Sequence, residues 1–240
     1  MSDPRIDIID QRLEKIDKIV AVSSGKGGVG KSVVASALAL NLRDKGYKVG
    51  LFDLDFTSPS THIILGVTGL YPEEEYGIIP PNAHNMKYMS ITYYSLDKPA
   101  PLRGVDMSEA IIELLAITLW GELDYLVIDM PPGLGDATLD MIRFVKDVNF
   151  LVVTTPSKVA YETVRKQLIL LKELHVPVIG VVENMQMKQS DFVKNQLEGV
   201  VPYLGVIEYD PDLEDCFGDV EKIMKSDFYS SIEKIITYLE

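Results

Sequence analysis

Cysteine is nearly absent from the chain. Its 240 residues include a single one, Cys216, so no disulfide can form within one copy. One thiol also falls short of the four thiolates that a structural zinc ion or an iron–sulfur cluster commonly takes from protein. Cysteine therefore supplies neither a covalent framework nor a complete metal site in a single chain.

Long apolar runs and an excess of positive charge are missing as well. No stretch approaches the roughly 18 consecutive apolar residues of a membrane span. The first residues, MSDPRIDIIDQRLEK, mix charges where a secretion signal carries an apolar segment. We therefore expect a cytoplasmic protein without stable membrane association. The formal net charge of −13 repels phosphodiester backbones, so we expect no nucleic-acid partner.

What the sequence does contain is an alternation of short β-branched runs with longer segments of helical period. Most of the predicted strands are apolar on both faces, which is typical of parallel strands covered by helices. The alternation predicts an α/β fold with a doubly wound, mostly parallel sheet flanked by helices. The predicted strands are residues 18–24, 48–55, 86–91, 124–130, 149–155, 177–184 and 202–207.

Helices are predicted between these strands, at residues 31–45, 107–119, 137–145 and 158–174. Residues 4–15 indicate a short helix packed on the outside of the domain, within an N-terminal extension of residues 1–17. We expect one domain over residues 1–240. Residues 67–101 are rich in proline and predict loops.

The last segment, residues 226–239, places apolar side chains such as Phe228, Ile232 and Ile236 on one helical face. Such a face belongs either to a core helix or to a helix that lies on a membrane surface. Its polar side carries few cations, whereas membrane-surface helices prefer lysine and arginine there. The core helix is therefore favoured.

The most informative segment is the glycine-rich run VSSGKGGVGKSVV at residues 22–34. Gly25, Gly30, Lys31 and Ser32 fit the pattern G-x-x-x-x-G-K-[ST] between a predicted strand and a predicted helix, which is the setting of a phosphate loop. Backbone N–H groups of such a loop surround phosphate oxygens, helped by the helix N-terminus. We expect Lys31 to reach the β and γ phosphates and Ser32 to ligate Mg²⁺. The predicted nucleotide-binding residues here are Gly25, Lys26, Gly27, Gly28, Val29, Gly30, Lys31, Ser32 and Val33.

Two acidic segments follow predicted strands, at the sheet edge where α/β proteins bind ligands. Asp53 and Asp55 end the first strand, in LFDLDFTSPS, and alternate residues of a strand point to the same side. Asp129 ends the second strand, in YLVIDMPPGLGD, as the carboxylate of a Walker B motif does. We expect Asp129 to bind Mg²⁺.

A second lysine, Lys26, completes the pattern KGGVGKS. With the two acidic segments and GVVENM at residues 180–185, the chain resembles the Mrp-type ATPases, relatives of the MinD, ParA and nitrogenase iron protein ATPases. The resemblance runs from about Ile19 to Leu213. It implies an ATPase that uses ATP and Mg²⁺ and works as a homodimer. In that dimer, Lys26 of one copy reaches the phosphates bound by the other.

The resemblance also implies roles for residues outside the loop. Asp55 would position the attacking water, and Asp53 would lie near Mg²⁺. Asn184 would hydrogen-bond the adenine. The backbone of IEYDPDL, with Glu208 and Asp210, would border the base.

The chain departs from the family pattern in three places. Leu134 replaces the usual threonine beside Gly133, whose N–H is implied to meet the γ-phosphate. Glu208 stands where a proline is usual. Many Mrp-type proteins carry a C-x-x-C pair after the ENM strand, and two pairs hold a [4Fe–4S] cluster across a dimer. Residues 183–205 contain no cysteine here, so the chain is not expected to hold such a cluster in the usual way.

Two function classes stay open. The first is an Mrp-like ATPase engaged in iron–sulfur cluster assembly or carrier work, with an apo-protein or an assembly factor as its client. The second is a positioning switch of the MinD/ParA kind, whose output is location on a membrane or DNA. The acidic charge and the lack of a basic amphipathic tail count against the second. Arg103 either faces a partner or substrate, or forms a surface ion pair.

Overall fold

The computed structural model describes residues 4–95 and 105–239. Arg103 and the end of the predicted loop region, from residue 96 onward, lie outside the described residues. The strands are β1 (Ile16–Ser24), β2 (Val49–Asp53), β3 (Glu73–Glu74), β4 (Ile78–Ile79), β5 (Asn82–Ala83), β6 (Met86–Ser90), β7 (Leu123–Asp129), β8 (Val148–Thr154), β9 (Val178–Gln186) and β10 (Tyr203–Glu208). The helices are α1 (Arg5–Leu13), α2 (Lys31–Asp44), α3 (Thr61–Leu65), α4 (Thr92–Ser95), α5 (Val105–Ile117), α6 (Asp136–Phe144), α7 (Lys158–Glu173), α8 (Phe192–Leu197), α9 (Val220–Met224) and α10 (Asp227–Ile236), with a 3₁₀ turn at Leu213–Cys216.

Eight of the described strands form one sheet in the order β10-β9-β8-β1-β7-β2-β6-β5. All neighbouring pairs run parallel except β5 and β6, which are antiparallel at one edge. Strands β3 and β4 form a separate two-stranded ladder. The predicted α/β architecture with a mostly parallel sheet is confirmed, and each of the seven predicted strands is present.

Two apolar clusters cover the two faces of the sheet. Alternate residues of β1 belong to different clusters, because successive side chains of a strand point to opposite faces. Ile19 and Ala21 pack in the first cluster, beside residues of α1, α5, α6 and α7. Val20 and Val22 pack in the second, beside residues of α2 and α10. This double coverage explains why the predicted strands are apolar on both faces.

The terminal helices are part of these clusters. Ile9 of α1 is fully buried, so this helix belongs to the core and does not lie outside it as predicted. β1 begins at Ile16, so an N-terminal extension to residue 17 is slightly too long. In α10, Ile232 and Ile236 are fully buried, which confirms the prediction of a core helix.

The loop prediction for residues 67–101 is partly wrong. Besides the expected β6, this region contains β3, β4, β5 and α4. Strands β5 and β6 form a tight hairpin whose two turn residues, His84 and Asn85, have φ values of 52° and 61°. Two-residue hairpins prefer Asn-Gly or Asp-Gly at these positions, and neither pair occurs here.

Among the described residues, no helix combines the length and apolar character needed to cross a bilayer.

Candidate functional site

The glycine-rich loop lies between the end of β1 and the start of α2, at the carboxyl edge of the parallel sheet. Gly28 and Gly30 have φ values of 77° and 80°, in the left-handed region that favours glycine. A Cβ on Gly30 would lie 2.3 Å from the side-chain nitrogen of Asn184. The spacing of glycines in the sequence therefore matches both the turn of the loop and its close approach to β9.

The start of the loop packs against α7. A Cβ on Gly25 would lie 2.3 Å from Oγ1 of Thr163 and 2.8 Å from the backbone carbon of the same residue. One turn further along α7, the Gln167 side chain donates a hydrogen bond to Ser23 Oγ at 2.9 Å. Helix α7 thus supports the loop from behind.

Lys31 joins the two acidic segments. Its side chain is 6% exposed, and its Nζ donates a hydrogen bond to Asp129 Oδ1 at 2.5 Å. Asp55 Oδ2 lies 3.7 Å from the same ammonium, and Ser32 Oγ accepts a hydrogen bond from it at 3.2 Å. Residues from three segments that are far apart in sequence therefore meet at one point.

Asp129 has the environment of a cation ligand. It is fully buried, and its Oδ2 has no hydrogen-bond partner among the described residues. Its pKa is raised to about 7, chiefly by burial; Lys31 opposes the rise, and the neighbouring Asp53 adds to it. Carboxylate and hydroxyl oxygens are ligands that Mg²⁺ accepts, so Asp129 and Ser32 fit this ion. Because the described residues hold no cluster of three or more metal-binding side chains, water and phosphate oxygens would complete the coordination.

Asp53 anchors the segment that follows β2. Its Oδ1 accepts a hydrogen bond from the N–H of Asp55 at 3.1 Å. Its Oδ2 accepts one from the Thr61 hydroxyl at 2.6 Å and one from the Thr61 N–H at 3.1 Å. The Thr61 hydroxyl also lies 2.8 Å from the hydroxyl of Tyr88. Burial raises the pKa of Asp53, and the Thr61 hydrogen bond opposes the rise. Asp53 lies opposite Asp129 in the register of β2 and β7. It is therefore close to a residue expected to bind Mg²⁺, but both of its own oxygens already accept hydrogen bonds.

Asp55 divides its two oxygens between the loop and the lysine. Its Oδ1 accepts hydrogen bonds from the Thr57 hydroxyl at 2.6 Å and from the N–H groups of Thr57 and Ser58, both at 3.1 Å. Its Oδ2 faces Lys31. The side chain is 6% exposed, so the surrounding segment holds it in one orientation at the mouth of the loop.

The N–H of Gly133, which was expected to meet the γ-phosphate, already has a partner in the protein. It donates a hydrogen bond to the carbonyl oxygen of Ser24 at 2.8 Å. This donor is therefore engaged with the end of β1 and does not face the phosphate loop. The N–H would have to leave Ser24 before it could meet a γ-phosphate.

Lys26 lies at the outer side of the loop. Its side chain is exposed, and its carbonyl oxygen accepts a hydrogen bond from Ser24 Oγ at 2.9 Å. Within the described ranges, its ammonium has no hydrogen bond or ion pair. Lys26 is thus the cation at this site that is not engaged with the carboxylates of its own chain.

Two adjoining cavities follow the loop. One of about 300 Å³ is lined by residues 26–33 together with Asp55, Thr57, Ser58 and Pro132. The other, of about 400 Å³, is lined by Asn184, Glu208 and Asp210, which the sequence assigns to the base. Gly28, Gly30 and Val33 border both cavities. The residues predicted to bind the phosphates and those predicted to border the base therefore line two cavities that adjoin.

The sequence reasoning missed part of the second cavity. Phe217 and Phe228 line it as well; Phe217 follows the 3₁₀ turn and Phe228 lies in α10. No local motif marks these two phenylalanines, because they reach the cavity only through the packing of distant segments. Tyr209 and Leu213, both inside IEYDPDL, also line the cavity and could have been inferred from that segment. Asn184 itself is buried, and its side-chain nitrogen donates to the Val29 carbonyl at 2.9 Å.

These features define a class of protein. A glycine loop joins the first sheet strand to a helix, and its lysine pairs with carboxylates at the tips of neighbouring strands. This is the arrangement of a P-loop nucleoside triphosphatase of the α/β class. Residues 15–237 match the ParA model described as NUBPL iron-transfer P-loop NTPase, and the chain belongs to this family.

Individual relatives agree with that placement. The chain is 41% identical over 179 residues to an iron–sulfur cluster carrier protein of Aquifex aeolicus, a match that covers 73% of this chain and 49% of that protein. The chain therefore spans about half the length of this relative. A nucleotide-binding protein from Archaeoglobus fulgidus in complex with ADP is 30% identical, with a TM-score of 0.79 over 94% of this chain and 95% of that one. The cell division ATPase MinD of Pyrococcus furiosus is 25% identical, with a TM-score of 0.69 over 93% of this chain and 98% of that one.

Proposed function

We propose that this chain binds Mg–ATP and hydrolyses it as a homodimer, and that this cycle serves iron–sulfur cluster assembly or carrier work. The observation that carries the proposal is that Asp129 and Asp55 lie close to Lys31 of the phosphate loop. We also propose that residues 1–240 form one domain, since α1 shares a buried cluster with β1 and α7. The cytoplasmic location stays a prediction.

Each side chain has a role that follows from its position. Lys31 exchanges part of its contact with Asp129 for the β and γ phosphates, and Asp129 and Ser32 are the residues that would hold Mg²⁺. When bound, Mg²⁺ neutralises charge on the phosphate oxygens. Asp55, fixed by Thr57 and Ser58, orients the attacking water.

Asp53 is assigned a supporting role near the cation. Both of its oxygens already accept hydrogen bonds from Thr61 and Asp55, so it positions the segment that carries Asp55. We assign the base to the second cavity, with Asn184, Glu208 and Asp210 at its border. A carboxamide offers both a donor and an acceptor to adenine.

Lys26 is assigned to the partner's nucleotide. An exposed ammonium that has no counterion among the described residues is available to another copy, and a cation delivered in trans stabilises the charge that develops on a transferred phosphoryl group. The Gly133 N–H joins the phosphates only after it leaves the Ser24 carbonyl, so we propose that nucleotide binding moves this segment.

The role in iron–sulfur chemistry rests on the relatives and on the family. One cysteine per chain gives two thiolates per homodimer, fewer than the four of a standard cluster. Cys216 lies in the 3₁₀ turn, partly buried. We therefore propose that the ATP cycle of this chain acts on a client that supplies the remaining ligands.

The cluster assignment is tested by reconstitution with iron and sulfide. We expect the purified protein to bind much less than one [4Fe–4S] cluster per dimer, measured by iron content and visible absorbance. A stoichiometric cluster spectrum that disappears in Cys216→Ala would show that this chain is itself the carrier of the cluster.

A positioning switch is the second candidate, and the likeness to the MinD fold favours it. The net charge of −13 opposes binding to DNA or anionic lipid. Pelleting with anionic liposomes and with DNA, each with and without ATP, separates the two candidates. ATP-dependent co-sedimentation with either would favour the switch.

The proposal as a whole is tested at Lys31. We expect Lys31→Ala to abolish measurable binding of Mg–ATP by calorimetry, because the variant lacks the cation at the phosphates. Lys172→Ala, an exposed lysine at the end of α7, serves as the matched charge control and should bind as the unmodified protein does. Equal ATP affinity for Lys31→Ala and Lys172→Ala would refute nucleotide binding at this loop.

A further inference from the structure

A third cavity, distinct from the two beside the phosphate loop, lies at the opposite edge of the sheet. It has a volume of about 580 Å³. Arg12 and Lys15 precede β1, Trp120 and Gly121 precede β7, and Lys87 lies near the start of β6. Since β1, β6 and β7 are parallel members of one sheet, their starts share the edge that faces away from the nucleotide residues. This cavity is therefore separate from the site described above.

Cations dominate the lining of this cavity. Arg12, Lys15 and Lys87 contribute three positive charges and Glu14 one negative charge, which leaves a net charge of +2. The whole chain, in contrast, carries a net charge of −13. Within the described part of the chain, none of the three cations makes an ion pair.

The three cations also keep hydrogen-bonding capacity. Arg12 Nε donates to the Ala116 carbonyl at 3.1 Å, and Lys87 Nζ donates to the Trp120 carbonyl. The bond from Arg12 offsets the partial negative charge at the end of α5, whereas Trp120 lies beyond that helix. Each of these bonds uses one donor, so the other N–H groups of Arg12 and Lys87 can donate hydrogen bonds to a ligand. Burial lowers the pKa of Lys87, as expected for an ammonium withdrawn from water without a carboxylate beside it.

Neighbouring carboxylates are engaged elsewhere. Glu122 lies 3.5 Å from Lys48 Nζ, and Asp124 accepts a hydrogen bond from the Lys48 N–H at 2.6 Å. Neither residue is among those that line the cavity. Glu122 and Asp124 therefore do not balance the net positive charge that remains after Glu14 is counted.

We propose that this cavity binds a small organic oxyanion, a phosphate ester or a dicarboxylate. Guanidinium and ammonium groups form strong charge-assisted hydrogen bonds with either kind of oxygen. The apolar side chains of Ile79 and Leu119 line the same cavity and suit the carbon part of such a ligand. The volume falls within the range of about 300–1,000 Å³ that is usual for small-molecule sites.

Trp120 provides a direct readout, because it is the one tryptophan of the chain and lines the cavity. Its fluorescence is followed during titration with glycerol 3-phosphate and, separately, with succinate. Each titration is run with and without saturating Mg–ADP, because ADP occupies the phosphate loop but is itself a phosphate ester, and calorimetry runs in parallel. We expect saturable binding of one probe or both, and the tighter probe distinguishes a phosphate ligand from a carboxylate ligand.

Charge variants connect the signal to the cavity. Loss of one charge-assisted contact in Lys15→Gln or Lys87→Gln should weaken binding about tenfold. Lys48→Gln, an exposed lysine paired with Glu122 nearby, should bind as the unmodified protein does. Lys15 is exposed, so its replacement leaves folding intact, which circular dichroism checks. If neither probe binds saturably by fluorescence or calorimetry, or if Lys15→Gln and Lys87→Gln bind as tightly as Lys48→Gln, the oxyanion site is ruled out.

Discussion

At the level of single residues, the candidate site depends on buried charges that satisfy one another. Lys31 pairs with Asp129 and lies near Asp55, while Asp53 receives three hydrogen bonds from its own segment. Buried charges are costly unless they are paired and hydrogen-bonded. The sequence motifs singled out Lys31, Asp53, Asp55 and Asp129 as site residues, and the structure brings them close together, but the partner of each carboxylate became evident only from the structure.

Thr61 shows how a residue outside the motifs supports the site. Its buried hydroxyl links Asp53 to Tyr88. We expect Thr61→Val, which removes the hydroxyl at similar volume, to lower the free energy of unfolding by about 1–3 kcal/mol, because two buried polar atoms lose a partner. Urea denaturation measures the change. Thr61→Ser keeps the hydroxyl and is the matched control; equal losses for both variants would show that the methyl group matters and the hydrogen bonds do not.

At the level of elements, the seven predicted strands and the main helices are present within a few residues of their predicted bounds. These elements could be predicted because the spacing of apolar residues in the sequence reflects which faces of a strand or helix are buried in the fold. The elements that were missed are short. The β5–β6 hairpin turns at His84 and Asn85 without glycine, and α3 and α8 have only five and six residues. Elements of this length are stabilised by their surroundings more than by local propensity.

Helix α10 packs against α2 on one face of the sheet. We expect Ile232→Ala to lower the free energy of unfolding by about 2–5 kcal/mol, because this fully buried side chain would leave a cavity. Glu233→Ala, at the adjacent exposed position, should change it by no more than about 0.5 kcal/mol. Chemical denaturation compares the two variants. Similar small effects for both would indicate that α10 is not held in the core.

At the level of the whole molecule, the proposed cycle requires two copies. We expect Lys26→Ala to bind ATP with unchanged affinity and to hydrolyse it at least about tenfold more slowly, since the phosphates lose a cation supplied by the partner. Steady-state hydrolysis and analytical ultracentrifugation with an ATP analogue measure turnover and dimer formation. Lys166→Ala, an exposed lysine on α7, is the control. Full activity of Lys26→Ala in a strictly monomeric protein would remove the role in trans.

The sequence by itself determined the α/β class, the phosphate loop and the identity of the acidic residues, because glycine spacing, apolar periodicity and carboxylates at strand ends are local patterns. Only the tertiary structure decided which atoms pair. It joined Gly133 to Ser24, brought Phe217 and Phe228 to the cavity proposed for the base, and gathered Arg12, Lys15 and Lys87 at the far edge of the sheet. Such contacts join residues distant in the chain, so they depend on how the elements pack and leave no local pattern.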